Sequence, residues 1–375
     1  MPSPSSGWYT TLLRVGDAPT GNVALVGSGE FKPPVGLHTG MATASAPGKV
    51  YLFGEHAVVY DEPAVPCAIE RRARVTVDRR EEGLRIHADD LSLSGFTVEY
   101  EGTPEGRPDV DVAESLVEAA MGYVTGAIEQ ARAAAGEPDA GFEVTVESAI
   151  PLGAGLGSSA AVVVAAIDAA CRELGLDLSP EEIADRAYRV EYDVQDGQAS
   201  RADTFCATMG GSVRVEGEDC RRIDAPALPF VIGYDGGSGD TGELVAGVRD
   251  LKDDYGFAAD TVGAIGDLVR EGEALLERDR GEAVAKLGRL MDVNHGLLSA
   301  LGVSSRTLDA MVWAARGAGA EGAKLTGAGG GGCIVALDPT DATETALEHT
   351  SECEATFRAE LAEEGLRREP EGADA

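Results

Sequence analysis

The sequence predicts a mixed fold of helices and strands spread over about two domains. A chain of 375 residues carries a length prior of about two domains or one large one. Period-two segments such as Phe142-Glu-Val-Thr-Val-Glu-Ser-Ala149, the mark of half-buried strands, stand beside long stretches of helical spacing such as 110–135 and 258–278. Two glycine-rich loops, 153–157 and 327–332, each adjoin a predicted strand.

Composition narrows the possible partners. The chain is 43% hydrophobic, enough for a substantial core, yet 65 acidic residues against 31 basic ones leave a net charge of −34. Only Lys32, Lys49, Lys252, Lys286 and Lys324 are lysines. An acidic, lysine-poor globular sequence reads as adaptation to high salt, where counterions screen self-repulsion. It argues against nucleic acid and anionic membrane surfaces as partners. Cysteines 67, 171, 206, 220, 333 and 353 lack C-x-x-C spacing, as expected of reduced thiols in a cytoplasmic protein. No run of 18 apolar residues occurs, so no transmembrane helix is expected. The N-terminus lacks the basic and apolar regions of a signal peptide.

Residues 1–40 are rich in breakers and poor in periodicity, and dense organisation begins at Met41. The segment is expected to be either a mobile extension or a sequence upstream of the true start at Met41. Next, Lys49 opens the apolar strand candidate 50–53, and Glu55 and His56 follow Gly54 at a turn. By itself the Lys-Glu-His trio is either a surface ion-pair group or part of a site. Further strands are expected over 75–78, 84–88 and 96–100, then a helix over 110–135.

The loop Pro151, Leu152, Gly153, Ala154, Gly155, Leu156, Gly157 leads into Ser158, Ser159, Ala160 and Ala161, where a buried helix begins. Glycines permit positive φ and close approach of backbone to a ligand. The free N–H groups and positive pole of a helix start attract anions. Two readings follow, a phosphate cradle or a glycine-rich turn with a serine cap. The loop is neither a Walker motif, lacking Gly-Lys-Ser/Thr, nor a dinucleotide fingerprint.

Beyond it, Ser179-Pro-Glu-Glu182 has the chemistry of a helix start, and that helix runs to about Asp193 with Glu191 near its end. Asp203 stands beside apolar sequence, either as a half-buried carboxylate needing a partner or as a turn cap. A strand broken by Gly210-Gly211 is expected over 205–216, another over 229–234, and a loop carrying Thr241 follows. Helices are expected over 258–278, 281–301 and 304–318. The second glycine loop then precedes a strand, an acidic helix is expected over 341–365, and the last ten residues should fray.

Three motifs in fixed order, Pro47-Gly-Lys to Gly-Glu-His56, Pro151 to Ala161, and Lys324 to Cys333, resemble the GHMP kinase superfamily over residues 43–365. Leu52-Phe-Gly-Glu-His-Ala-Val-Val-Tyr60, Asn294-His-Gly-Leu-Leu298 and Gln198-Ala-Ser-Arg-Ala-Asp203 are most similar to its archaeal mevalonate kinase branch. The resemblance implies an α+β fold with a left-handed βαβ unit in an N-terminal domain (41–226), a C-terminal α/β domain (227–366) and a tail (367–375). It implies a homodimer transferring phosphate from ATP, with Mg²⁺, to the 5-hydroxyl of mevalonate. On that basis Asp203 and Lys49 would be catalytic, and Pro151 to Ala161 would bind ATP. Ser158 or Ser159 and Glu191 would hold the metal, while Glu55, His56, Thr241, Gly327, Ala328 and Gly329 would line the substrate site. Two departures stand out. Ala199 and Arg201 replace residues of the commoner Pro-Ser-Gly motif, and Asp196 is one residue extra between Glu191 and Gly197. Other superfamily kinases, the related diphosphomevalonate decarboxylase, and a non-catalytic sensor on the same scaffold are the competing readings.

Overall fold

A computed structural model describes residues 22–26, 40–89, 96–101, 114–151, 153–226, 228–237, 239, 241–277 and 280–370. The strands are β1 (Asn22–Val26), β2 (Ala42–Phe53), β3 (Val65–Arg80), β4 (Leu84–Asp89), β5 (Phe96–Glu101), β6 (Gly141–Ser148), β7 (Ser212–Glu216), β8 (Asp219–Ile223), β9 (Phe230–Tyr234), β10 (Gly322–Thr326), β11 (Cys333–Leu337), β12 (Ala355–Ala359) and β13 (Arg367–Glu369). The helices are α1 (Glu114–Ala135), α2 (Ser158–Glu173), α3 (Pro180–Val194), α4 (Ala202–Met209), α5 (Thr241–Asp254), α6 (Gly256–Leu276), α7 (Arg280–Ala300), α8 (Arg306–Gly317) and α9 (Asp341–Glu348).

The larger sheet runs β1-β5-β4-β6-β3-β2-β13, with β7 joined to β3 and to β8. Its parallel pair is β4 and β6, connected through β5 and α1, which is where the crossover implied by the resemblance falls. The smaller sheet, β10-β11-β9-β12, is antiparallel throughout.

Helix α2 is the centre of the first half. It packs against β2, β3, α1, α3 and α4 and is buried on every side from Ala160 to Cys171. Val162, Val163 and Val164 are poor helix formers by a few tenths of a kcal/mol each. Burying each side chain contributes roughly 1.5–3 kcal/mol, so packing decides the conformation. Helix α3 starts as its sequence predicts: the Ser179 hydroxyl accepts from the Glu182 N–H, and the Glu182 carboxylate accepts from the Ser179 N–H.

Three stretches fold differently from expectation. Of the broken strand expected over 205–216, the part after Gly210-Gly211 forms β7, but the part before it is helical, in α4. Packing on α2 and α3 overrides the strand preference of Thr204, Phe205 and Cys206. Gly210 ends the helix at φ 68, where a Cβ would sit 2.3 Å from the Gly365 nitrogen. The helix expected over 341–365 stops at Glu348, and Ala355–Ala359 pairs with β9 instead. Thr350 and Ser351 supply the turn between them. Nor does the chain fray at once after Leu366. Arg367–Glu369 pairs with Thr43–Ser45, Ser45 donates to Glu369 at 2.6 Å, and Arg368 pairs with buried Asp168 at 2.9 Å. Of residues 1–40, Asn22–Val26 lies beside β5 and Gly40 precedes β2; the others lie outside the described residues, as do 371–375.

Candidate active site

Strand β2 is buried along its whole length, and its period of two sends Lys49 and Tyr51 to the same side. The Lys49 ammonium lies 3.2 Å from Asp203 Oδ2, donates to the Gly155 carbonyl at 2.9 Å, and sits 4.4 Å from the centre of the Tyr51 ring. The Tyr51 hydroxyl donates to Asp203 Oδ1 at 2.8 Å. Asp203 is in the first turn of α4, its side chain 26% exposed, so the carboxylate faces both the protein and the cleft. Burial, and then the Asp203 charge, hold the Tyr51 phenol well above its ordinary pKa.

The first glycine loop wraps the far side of Lys49, whose backbone N–H donates to the Leu156 carbonyl at 2.8 Å. Gly153, Gly155 and Gly157 have φ of 68, 76 and 74, conformations that cost other residues energy. A Cβ on Gly155 would lie 2.9 Å from the Thr326 carbonyl oxygen, and one on Gly327 would lie 2.8 Å from the Gly155 Cα. The two glycine loops therefore touch backbone to backbone, which side chains would forbid. Pro151, Ala154 and Leu156 shape the rest of the turn, with Ala154 and Leu156 buried. Leu152 lies outside the described residues. Ser158, Ser159, Ala160 and Ala161 form the first turn of α2, where the unpaired N–H groups gather.

Ser159 donates to Glu191 Oε1 at 2.8 Å, while the buried Ser158 hydroxyl has no partner among the described residues. The extra residue before Gly197 is absorbed in a turn, with Asp196 at φ 49 and Gly197 at φ 80, and Glu191 still faces Ser159. Burial, and then repulsion from Asp203, push the Glu191 carboxyl up to about 8. Gln195 donates to the Tyr123 hydroxyl of α1 at 3.2 Å. Burial and the Glu191 charge raise that phenol to about 12.

The Gly-Glu-His turn closes the other wall. Gly54 takes φ 101, a Cβ there would lie 2.5 Å from the Ala64 Cα, and its N–H donates to Asn294 Oδ1 at 3.3 Å. The Glu55 carboxylate is ion-paired with Lys324, both fully buried, and Lys324 also donates to the Leu325 carbonyl at 2.6 Å. Burial raises the Glu55 pKa against the pull of Lys324, and burial lowers that of Lys324 against the pull of Glu55. His56 adopts φ 61, and its Nε2–H donates to the Ala328 carbonyl at 2.7 Å, leaving Nδ1 as an acceptor. Burial lowers its pKa and favours this neutral form. Glu55 Oε2, His56 Nδ1 and Asn294 Nδ2 are all buried without a partner among the described residues. Such a group of polar atoms requires an explanation.

Of the residues singled out in the sequence, the structure brings Lys49 to Asp203 and Ser159 to Glu191, and it sets Glu55 on Lys324 and His56 on Ala328. Thr241 is different. It opens α5 and is exposed, and its neighbours Gly239 and Leu244 are the ones that meet the second loop, at Gly329 and Gly330. The roles of Tyr51, Tyr123, Asn294 and Lys324 were missed. Tyr51 had a local signal in its two-residue spacing from Lys49 on a strand, and Asn294 and Lys324 stood in motifs that did not reveal their contacts.

Known proteins match this chain as follows. The model of the GHMP kinases N terminal domain matches residues 122–211, and that of the GHMP kinases C terminal matches 273–354. A galactokinase galactose-binding signature matches residues 30–79, the segment that carries β2, Glu55 and His56. The mevalonate kinase of Thermococcus gammatolerans is 42% identical over 331 residues, covering 87% of this chain and 98% of that protein. That of Methanothermobacter thermautotrophicus is 41% identical over 333 residues, covering 87% and 99%. The crystal structure of Methanococcus jannaschii mevalonate kinase aligns with a TM-score of 0.70 at 28% identity, covering 88% of this chain and 99% of that one. Lactococcus lactis galactokinase, complexed with galactose, shares the fold at a TM-score of 0.68 with 19% identity, covering 88% of this chain and 95% of that one.

Proposed function

The chain belongs to the mevalonate kinase family of the GHMP kinases, and from that premise we propose that it transfers the γ-phosphoryl group of ATP to the 5-hydroxyl of mevalonate, giving 5-phosphomevalonate for isoprenoid biosynthesis. The Lys49–Asp203 pair at the mouth of the glycine loop, 3.2 Å apart, carries the reading. Phosphoryl transfer asks a protein mainly for alignment and for neutralisation of charge on the moving group. The backbone of Pro151 to Ala161, with the N-terminal turn of α2, cradles the ATP phosphates. Lys49 supplies positive charge where the phosphoryl group crosses. Asp203 orients the acceptor hydroxyl and takes its proton. A primary alcohol is a far weaker acid than a carboxyl, so the proton leaves late, after the bond to phosphorus has begun to form.

Glu55, His56, Ala328 and the neighbouring Gly327 and Gly329 border the acceptor pocket. The open atoms there, two acceptors and one amide donor, suit a small molecule bearing hydroxyl groups and a carboxylate. Thr241 stands at the pocket's outer rim.

Ser158, Ser159 and Glu191 are oxygen donors only, and the unpartnered Ser158 hydroxyl leaves room for a further bond. This set fits Mg²⁺, which takes few protein oxygens and completes its shell with phosphates and water. A bound ion would supply positive charge against the phosphates. Glu191 and the serines would hold it, and burial of Glu191 favours a positive neighbour. The acidic surface supports a cytoplasm of high salt as the working environment. We assign the chain two domains, 41–226 and 227–366, and a homodimeric state.

The galactokinase signature motivates one competing reading, a sugar kinase. ADP release measured with mevalonate, phosphomevalonate, homoserine and galactose in molar KCl separates them. Turnover is expected with mevalonate alone. Turnover with galactose and none with mevalonate would replace the first reading by the second, and no turnover with any acceptor would favour a sensor.

A further inference from the structure

We infer that Tyr51 is a positioning residue for phosphoryl transfer, holding the Asp203 carboxylate in the orientation that leaves a lone pair facing the acceptor hydroxyl. The inference rests on the assignment of Asp203 above and concerns how that group is aimed. The Asp203 carboxylate is 26% exposed, and a carboxylate that reaches solvent turns easily about its last bond. Lys49 cannot stop this alone, because an ammonium is a point charge without a preferred plane, and this one is shared with the Gly155 carbonyl.

Tyr51 differs in each respect. Its ring is 6% exposed, and its backbone N–H donates to Thr326 Oγ1 at 2.8 Å, tying it to the second glycine loop. Its hydroxyl has a single proton to give, and Asp203 Oδ1 receives it at 2.8 Å. Ser200 also interacts with the phenol, and more weakly than burial and Asp203 do. Lys49 on Oδ2 and Tyr51 on Oδ1 thus grip the two carboxylate oxygens from one rigid strand. Burial keeps the phenol protonated across the working pH range, so it remains a donor throughout. Support of a reacting group by a rigid neighbour is the arrangement that holds it within a fraction of an ångström of productive geometry.

The test is Tyr51→Phe, measured alone and in an Asp203→Asn background, with steady-state kinetics for both substrates and thermal unfolding. Alone, the variant should lose about 10- to 100-fold in kcat, with KM for ATP and mevalonate within about threefold. With Asp203→Asn already in place the same change should cost less than about twofold, since it acts through that carboxylate. Ser200→Ala, which frees the phenol without altering the ring, should show the same pattern at smaller size. Full kcat in both Tyr51→Phe and Ser200→Ala would overturn the inference. So would an equal loss with and without Asp203, or a rise in KM for mevalonate at unchanged kcat. If Asp203→Asn itself keeps wild-type kcat, the assignment of that residue fails first, an outcome distinct from a silent Tyr51→Phe beside an inactive Asp203→Asn.

Discussion

Lys324 and Glu55 are separated by 269 positions in sequence and form an ion pair with side chains 0% and 1% exposed. Removing one partner strands a charge in the interior, at a cost of about 3–5 kcal/mol. Lys324→Met should therefore lower unfolding free energy by about that amount in urea titrations, and adding Glu55→Gln should recover part of it. An equal or larger loss in the double variant would show that packing, and not charge, sets the cost. Lys324 was visible as part of a motif, but its partner was not, because no local pattern records a contact across so many residues. His295, given no chemistry from sequence, accepts from the Leu325 N–H at Nδ1 and donates to Asp309 at 3.1 Å from Nε2. Burial, and then the Arg316 charge, lower its pKa from 6.5 to about 4. Between those values the unfolded chain takes up a proton that the native state refuses. Stability should fall as pH drops through that window, by at most about 3 kcal/mol. His295→Gln should flatten the dependence measured by denaturant titration; an unchanged slope would clear His295 of it.

Among the elements, the glycine loop shows how sequence and packing divide the work. Its run of positive-φ glycines into a helix start was legible because such a backbone leaves a signature of glycines and serines. Its close approach to the second loop was not, since nothing local says which backbone will lie opposite. Gly157 faces the Lys49 stem, and a Cβ there would lie 2.9 Å from Lys49 Cγ at φ 74. Gly157→Ala should cost about 1–3 kcal/mol in backbone strain and displace the ammonium, lowering kcat at least about 10-fold. Stopped-flow phosphoryl transfer checks this, and a variant with normal rates would show that Lys49 adapts. Helix α4 was misread as a strand for the opposite reason. Its residues favour strands locally, and only the contacts with α2 and α3 turn them helical. The same holds for β12, whose place depends on the open edge of β9.

For the molecule as a whole, charge couples the two halves. Arg214 of β7 pairs with Glu273 of α6 at 3.0 Å, Arg221 of β8 joins the same carboxylate, and Arg270 of α6 reaches Glu62 at 2.9 Å and Glu216 at 3.1 Å. The Glu273 side chain is 13% exposed, so these bonds are less screened than ordinary surface pairs. The net charge of −34 opposes them through repulsion over the whole surface. Raising KCl from about 0.1 to 2 M shortens the screening length from about 10 Å to under 3 Å. The melting temperature should therefore rise with salt. A falling Tm would mean that the ion pairs outweigh the repulsion and would count against adaptation to high salt. The fold class was legible through the family resemblance that three motifs carry; the return of β13 to β2 was not, because a three-residue strand has too little pattern to detect.

The proposed function turns on Asp203, which would orient the acceptor hydroxyl and take its proton during direct transfer from ATP to mevalonate. Single-turnover transfer from ATP to mevalonate, measured for wild type and Asp203→Asn with ATP affinity determined calorimetrically, tests it most directly. Transfer should slow by about 10²–10⁴-fold while the Kd for ATP stays within about threefold. Transfer at the wild-type rate by Asp203→Asn would contradict it.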